Sequence, residues 1–125
     1  MKFIPAILCC SLLIATAAWV TPAKAEDQLA ASMCDYIKAD DKNRLRKLLS
    51  DNRLRLRNIY DGIMCNGMTM VRFAAANNAN GVGEFIIKQL PATQIGASGD
   101  IAWVEANHAS SGLIAVLKER AGSGD

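Results

Sequence analysis

Positively charged side chains are concentrated in one short part of the 125-residue sequence, between positions 42 and 57. Seven cations lie there with a single carboxylate, Asp51. Guanidinium and ammonium groups at this density can bind phosphates or carboxylates, and arginine can do so through two parallel hydrogen bonds. The pattern indicates a surface for an anionic partner, such as lipopolysaccharide phosphates, lipid head groups or an acidic face of another protein. The cations are Lys42, Arg44, Arg46, Lys47, Arg53, Arg55 and Arg57.

A second interpretation of this basic segment is a solvated face whose charges pair with nearby carboxylates. Charge runs on soluble proteins commonly have that role, and exposed ion pairs contribute little to stability. The carboxylates within reach along the chain are Asp35, Asp40, Asp41 and Asp61. Both interpretations stay open at the level of sequence.

Side chains suited to catalysis are sparse, because the sequence contains one histidine, His108. Glu105 and Ser110 lie near it, but spacing along the chain does not identify a Ser-His-acid set. A capping or surface position explains this histidine better. One imidazole also does not complete a zinc site. We therefore expect no catalytic residues, no metal and no cofactor.

The first 25 residues have the pattern of a secretory signal peptide. Lys2 precedes an almost unbroken apolar run, and Ala23-Lys24-Ala25 fits the small-x-small rule, so we expect cleavage after Ala25. The alternative is an uncleaved membrane anchor with the domain facing the periplasm. Lys2 and Lys24 account for the whole net charge of +2, so the remainder carries 12 cations and 12 carboxylates. The expected location is the periplasm, where nucleic acid is a poor partner.

Export also decides the interpretation of the four cysteines. Cys9 and Cys10 lie in the leader, which leaves Cys34 and Cys65 in the mature chain. An even number of cysteines in an oxidising compartment indicates a disulfide. A bridge that closes this loop would restrict the unfolded chain and so stabilise the folded state by roughly 3.5 kcal/mol. A redox or metal role is the alternative, but the sequence has no C-x-x-C pair to favour it.

The elements that must position these residues are predicted to be helices. Apolar residues recur every three or four positions, which predicts a mainly α-helical domain over 26–122 and a loose tail at 123–125. The alternation of arginine and leucine from Arg53 to Arg57 predicts an extended or hairpin-like linker near 52–66. Residues 91–100 have loop composition. The expected helices cover 27–39, 42–51, 69–76, 82–90, 101–106 and 113–117.

These helices pair into helix-turn-helix units, and residues 66–75 resemble the opening of an ankyrin repeat, Gly-x-Thr-Pro-Leu-His-x-Ala-Ala. The matching residues are Gly67, Thr69, Ala74 and Ala75. Met70 stands in place of the proline, and Arg72 in place of the histidine. An earlier unit matches at an offset of 38 residues, from Leu48 to Ile86. The resemblance implies a short stack of two to three ankyrin-like units.

Residues 34–91 resemble a family of small exported proteins from Gram-negative bacteria that is catalogued as a domain of unknown function. The shared features are the paired cysteines, the Asn-Ile-Tyr-Asp-Gly segment at 58–62 and the Cys-Asn-Gly turn at 65–67. This resemblance implies export and the cysteine pair, and it implies no activity.

The sequence therefore favours an exported, non-enzymatic interaction module that binds another envelope protein. The alternative is an envelope accessory protein that binds anionic lipid or lipopolysaccharide through the basic segment. An enzyme or an enzyme inhibitor is the least supported class. The sequence leaves the oligomeric state open.

Overall fold

A computed structural model describes the backbone of residues 23–122 and the side chains from position 28 onward. The predicted leader, its membrane-anchor alternative and the tail at 123–125 lie outside the described residues, apart from a short backbone stretch that ends the leader. Within the described part, no helix is both long and apolar enough to span a bilayer.

Residues 23–122 form eight α-helices and one 3-10 turn, Tyr60–Gly62, and contain no strand. This confirms the prediction of a mainly α-helical fold. Asp41 and Thr69 are the N-caps of the helices that begin at 42 and 70, since their side chains accept hydrogen bonds from the backbone N–H groups of Arg44 and Arg72. The helices are α1 Ala23–Lys38, α2 Lys42–Asp51, α3 Leu56–Ile59, α4 Met70–Ala76, α5 Asn80–Lys88, α6 Ala92–Ser98, α7 Asp100–Asn107 and α8 Leu113–Ala121.

Six of these helices form three pairs that lie side by side. α1 packs on α2, α4 on α5 and α7 on α8. The first members of the pairs form one row, with α4 between α1 and α7, and the second members form another, with α5 between α2 and α8. The apolar stripes predicted from the sequence face inward between the rows, where Met33, Ile37, Leu45, Ile86 and Leu117 are fully buried.

The first two pairs share the same tight turn. Asp40 and Asn78 both adopt a left-handed backbone conformation, with φ of 54° and 53°. Aspartate and asparagine tolerate this region better than other side chains with a Cβ. The residue that follows each of them, Asp41 or Ala79, donates its N–H to a carbonyl five positions back at 2.8 Å. The turns lie 38 positions apart, which is the offset between Leu48 and Ile86 in the sequence.

The prediction of an extended or hairpin-like linker near 52–66 is wrong. The segment forms α3 and the 3-10 turn, and only Cys65 pairs with Met68 in a β-bridge. The predicted alternation of exposure is present, because Leu54 is half-buried and Leu56 buried between exposed arginines. No neighbouring strand exists among residues 23–122 to pair with the segment, so its backbone satisfies its hydrogen bonds locally in helical turns.

The prediction that residues 91–100 form a loop is also wrong, since they contain α6. Pro91 occupies the N-cap position of this helix, where the missing N–H of proline costs nothing. Ala92 and Ile95 turn toward the core and are buried. Gly99, with φ of 72°, ends the helix and begins α7 directly. Two buried residues are too few for a periodic pattern, so no helical signal is visible in this segment of the sequence.

Candidate functional site

The disulfide predicted between Cys34 and Cys65 is present, with a Cα–Cα distance of 5.6 Å. Cys34 lies on α1, and Cys65 lies at the end of the segment between α2 and α4. Cys65 and Met68 exchange two backbone hydrogen bonds of 2.8 and 2.9 Å around an Asn-Gly turn. Asn66 and Gly67 both have positive φ in that turn, as a two-residue β-turn of this type requires. The bridge thus fastens one end of the linker, residues 53–69, to the first helix.

A buried polar network fastens the middle of the same linker. The Tyr60 hydroxyl donates a 2.5 Å hydrogen bond to Asp100 Oδ2 and accepts one of 3.3 Å from the backbone N–H of Val71. Asp100 is only 1% exposed. Its Oδ1 accepts hydrogen bonds from Thr69 Oγ1 at 2.9 Å and from Arg72 Nε at 2.8 Å. The linker, α4 and α7 therefore meet at one carboxylate whose charge is balanced by one guanidinium.

Burial is the main reason that the pKa of Tyr60 lies far above the ordinary tyrosine value, and the negative charge of Asp100 raises it further. The phenol therefore serves as a neutral hydrogen-bond donor. Arg72 extends the network, because it donates to the Ser98 carbonyl at 2.9 Å and its guanidinium lies 5.5 Å from the centre of the Trp103 ring. Sequence reasoning missed this network. The Asn-Ile-Tyr-Asp-Gly segment contained Tyr60, but its acidic partner lies 40 positions away.

Held at these two points, the linker forms one wall of a cleft with a volume of about 460 Å³. The other walls come from α2, the end of α5 and the end of α8. Leu49, Leu54, Leu56 and Phe85 provide its apolar surface. Of the described residues that line this basic cleft, none is Asp or Glu. Its cations are Arg46, Arg55, Arg57, Lys88 and Arg120.

Each of these cations has a different local setting. Lys88 pairs with Glu84 at 2.8 Å on the exposed face of α5, and this contact raises the pKa of the ammonium group. Arg46 lies over the Phe85 ring, 6.0 Å from its centre. Arg120 Nε donates to the Leu90 carbonyl at 2.9 Å.

Two of the three arginines in the linker, Arg55 and Arg57, line the cleft, are exposed and form no ion pair within residues 28–122. They flank Leu56, whose buried side chain anchors this part of the linker to the core. Their guanidinium groups therefore stand at the cleft with their charges uncompensated by a direct carboxylate contact in the described part of the chain.

The structure divides the predicted basic segment into two groups. Arg46, Arg55 and Arg57 line the cleft, whereas the other four cations lie outside it. Arg44 pairs with Asp41 at 3.3 Å, and Lys47 pairs with Asp51 at 2.7 Å. For these two, the solvated-face interpretation describes what is seen. Lys42 and Arg53 are exposed.

Asp40, one of the carboxylates considered as a partner for the arginines, has another contact. Its Oδ1 accepts a 2.7 Å hydrogen bond from the backbone N–H of Val82, in the first turn of α5. The first hairpin turn therefore caps the helix of the second pair. This contact belongs to the stacking of the pairs.

His108 lies in the turn between α7 and α8, with its ring centre 5.5 Å from that of Trp103. Glu105 forms an ion pair of 2.5 Å with Lys118. Ser110 is exposed. His108 and Glu105, two of the three residues considered for a triad, thus have separate contacts. Within the part of the chain that the structure describes, no group of three or more His, Cys, Asp or Glu side chains could hold a metal ion.

Residues 33–97 match the family described as "Protein of unknown function (DUF3718)", and the chain belongs to this family. The matched region includes both cysteines, the linker and four of the five cleft cations, and it ends before Arg120 and Asp100. No curated protein and no solved structure matches the chain.

Proposed function

We propose that the protein is an exported, non-enzymatic binding module of the bacterial envelope that holds an anionic partner in the basic cleft. The observation that carries the proposal is the convergence of five cations on a concave site whose lining, as described, contains no carboxylate. Cations so arranged raise the local concentration of anions and attract them over several ångströms. Anionic lipid or lipopolysaccharide is the partner that this geometry favours first.

The site is formed before any partner arrives, which supports a binding role. Arg55 and Arg57 belong to a linker that is anchored at both the Cys34–Cys65 bridge and Tyr60. A preorganised site loses less conformational entropy on binding than a mobile loop does. Leu56 between the two arginines limits the movement of their backbone further.

The proposed location is the periplasm, with the signal peptide removed after Ala25. Two features support it: the leader pattern of the sequence, and a disulfide, which persists in oxidising compartments. An N-terminal anchor facing the periplasm would place the domain in the same compartment.

The stack of helix pairs is proposed to be ankyrin-like. The ordered rows α1–α4–α7 and α2–α5–α8 and the turns repeated at Asp40 and Asn78 support this relation. Stacked repeats usually bind partners on an extended face built from several units. The cleft has this arrangement, because α2, α5 and α8 each contribute residues to its lining.

The proposal is tested with two charge-matched variants. Arg55→Gln with Arg57→Gln removes two cleft cations, and Arg44→Gln with Lys47→Gln removes two cations outside the cleft. We expect the first variant to lose at least about tenfold in affinity for vesicles containing anionic lipid or lipopolysaccharide at low salt, since each charged contact is worth over ~1 kcal/mol. The second variant should retain affinity within a factor of about two.

Flotation of the vesicles at increasing salt provides the measurement. Binding by the unmodified protein should weaken steeply as the Debye length shortens from about 30 Å at 0.01 M to about 8 Å at 0.15 M. Equal losses of affinity in the two variants would mean that binding depends on the overall charge of the protein and not on the cleft. No loss in the cleft variant would refute the proposed site.

A second candidate is binding to another envelope protein, and an exposed methionine favours it. Met64 is 55% exposed and lies beside the disulfide, in a groove that also contains Phe73 and Lys38. Methionine adapts its shape to many partners. A photo-crosslinking residue placed at position 64 should capture a protein in the periplasm if this face is an interface. One placed at position 57 tests the cleft in the same cells.

A further inference from the structure

The charge, the hydrogen-bond donors and the shape of the basic cleft together indicate the chemical class of its ligand. We infer that it binds a compact phosphoryl group with at least two negative charges, a phosphomonoester or a diphosphate, either free or as the head group of a lipid. This inference rests on the proposed function and specifies the chemistry of the same site.

The first argument is the amount of charge. Five cations surround the cleft, and Lys88 is offset by Glu84 and by the nearby charge of Glu119. The charge argument therefore uses Arg46, Arg55 and Arg57, which form no ion pair with the described residues. The C-terminal ends of α5 and α8 also lie at the cleft, because Lys88 and Arg120 line it, and each helix end contributes about half a negative charge. Arg120 covers one carbonyl, that of Leu90. The three arginines carry three positive charges and the two helix ends offset about one of them, so an excess of about two charges remains, which is more than a single carboxylate neutralises.

The second argument is the type and arrangement of the donors. Three arginines that form no ion pair with the described residues line the cleft, and they come from two separate elements: Arg46 from α2, and Arg55 and Arg57 from the linker. Each guanidinium offers a planar pair of donors, which fits two oxygens of one anion. A carboxylate has two oxygens in one plane, and a single such pair can engage both of them. A phosphoryl group presents three or more oxygens in different directions, so it can accept from several guanidinium groups at once.

The third argument is the shape and composition of the cleft. Its volume of about 460 Å³ lies in the range of small-molecule sites and is much larger than one inorganic ion. Leu54 and Phe85 are half-buried and form apolar wall next to the cations. Apolar walls lower the local dielectric constant and strengthen the attraction of a charge that enters. They also offer contact to an organic group attached to the phosphate.

The concave form separates this site from a general attraction to membranes. A planar bilayer surface contacts convex parts of a protein, whereas a head group that projects above the bilayer can enter a cleft. The same chemistry could come from a soluble phosphate compound. Both sources predict binding of a small diphosphate in isolation, which makes inorganic pyrophosphate a suitable probe.

The test is a calorimetric titration of the disulfide-bonded protein with pyrophosphate at low salt, with malonate as a dicarboxylate of similar size. We expect pyrophosphate to bind at least about tenfold more tightly than malonate. Arg55→Gln with Arg57→Gln should lose this preference, and Arg44→Gln with Lys47→Gln should keep it. Far-ultraviolet circular dichroism of both variants establishes that the helices are intact.

Vesicles identify the source of the phosphate. Binding to vesicles with phosphatidic acid, whose head group is a monoester, but not to equally charged vesicles with phosphatidylglycerol, a diester, supports a lipid source. Pyrophosphate binding with no preference between the vesicles supports a soluble source.

Equal affinities for pyrophosphate and malonate, or no binding of pyrophosphate, would overturn the inference. If pyrophosphate shows no preference over malonate but the cleft variant still has reduced affinity for anionic vesicles, the proposed function stands and only the phosphoryl specificity is refuted. If Arg55→Gln with Arg57→Gln and Arg44→Gln with Lys47→Gln have the same affinities for pyrophosphate and for the vesicles, both proposals are refuted.

Discussion

At the scale of single residues, Tyr60 shows how one side chain can fix a loop. Its hydroxyl both donates to Asp100 and accepts from the Val71 N–H, so it satisfies a buried carboxylate and a buried backbone group together. A hydroxyl is needed for both contacts, because phenylalanine has the same ring but neither a donor nor an acceptor. Buried polar groups without partners cost free energy, so the network depends on each member.

We expect Tyr60→Phe to lower the free energy of unfolding by about 1–3 kcal/mol, because Val71 N–H loses its partner and Asp100 loses a donor. Urea unfolding at neutral pH, followed by circular dichroism, measures the difference. Tyr36→Phe is the matched control, since Tyr36 is only half-buried. A change as large in the control would contradict the special position of Tyr60.

The raised pKa of Tyr60 also predicts a dependence on pH. A group whose pKa is higher in the folded state contributes stability that is complete below the unfolded value, about 10 for tyrosine, and is lost as the pH rises above it. The gap in unfolding free energy between the unmodified protein and Tyr60→Phe should therefore be constant from about pH 7 to 9 and shrink above about pH 10. If the difference in unfolding free energy instead widened above about pH 10, the pKa of Tyr60 would be lowered rather than raised on folding.

At the scale of elements, close contact between α5 and α8 depends on a glycine. A Cβ built on Gly83 would lie 2.5 Å from Leu113 Cδ1 and 3.2 Å from the Ala74 Cβ. Leu113 is itself 1% exposed, so its side chain has little room to move. Glycine is unfavourable inside a helix by about 0.5–1 kcal/mol relative to alanine, and the close packing of the two helices offsets that cost.

Gly83→Ala should therefore destabilise the protein by about 1–3 kcal/mol through overpacking, despite the better helix propensity of alanine. Gly96→Ala in α6 is the matched control, because a Cβ at that position would have nothing within 4 Å and the change should be neutral or slightly stabilising. Thermal unfolding of both variants gives the comparison. Stabilisation by Gly83→Ala would mean that Leu113 moves aside freely.

At the scale of the whole molecule, three helix pairs have a thin core, and the Cys34–Cys65 bridge supplements it. The bridge spans 31 residues and joins the first pair to the start of the second. Constraining a loop of that length restricts the unfolded chain, which stabilises the folded state by roughly 3.5 kcal/mol in the chain-entropy description. A small domain typically has a total stability of about 5–15 kcal/mol, so this contribution is large.

Replacing both cysteines by alanine should lower the free energy of unfolding by roughly 3.5 kcal/mol and leave the far-ultraviolet spectrum helical. Urea unfolding of the variant, and of the unmodified protein with and without a reducing agent, gives the measurement. The reduced protein should resemble the variant. A loss below about 1 kcal/mol would show that the reduced chain is constrained by other contacts.

Local patterns were sufficient to predict α2, whose observed bounds Lys42–Asp51 are the predicted ones. They failed for α6 and for the linker. Helix α6 has only two buried residues, Ala92 and Ile95. The linker alternates with the period of two that is typical of a strand, although Leu56–Ile59 forms a helical turn. The conformation of a short segment depends on the elements that it packs against, and local sequence patterns do not reveal which elements those are.

Periodicity and composition are local properties, and they were enough to establish the helical class, the cysteine pair and the concentration of charge between positions 42 and 57. Which cations act together became clear only from the packed helices. Folding brings Lys88 and Arg120 to Arg55 and Arg57, and it leaves Arg44 in an ion pair outside the cleft. It also joins Tyr60 to Asp100 across 40 positions. These contacts depend on how the helix pairs stack, and the stacking is fixed by the packing of the whole core.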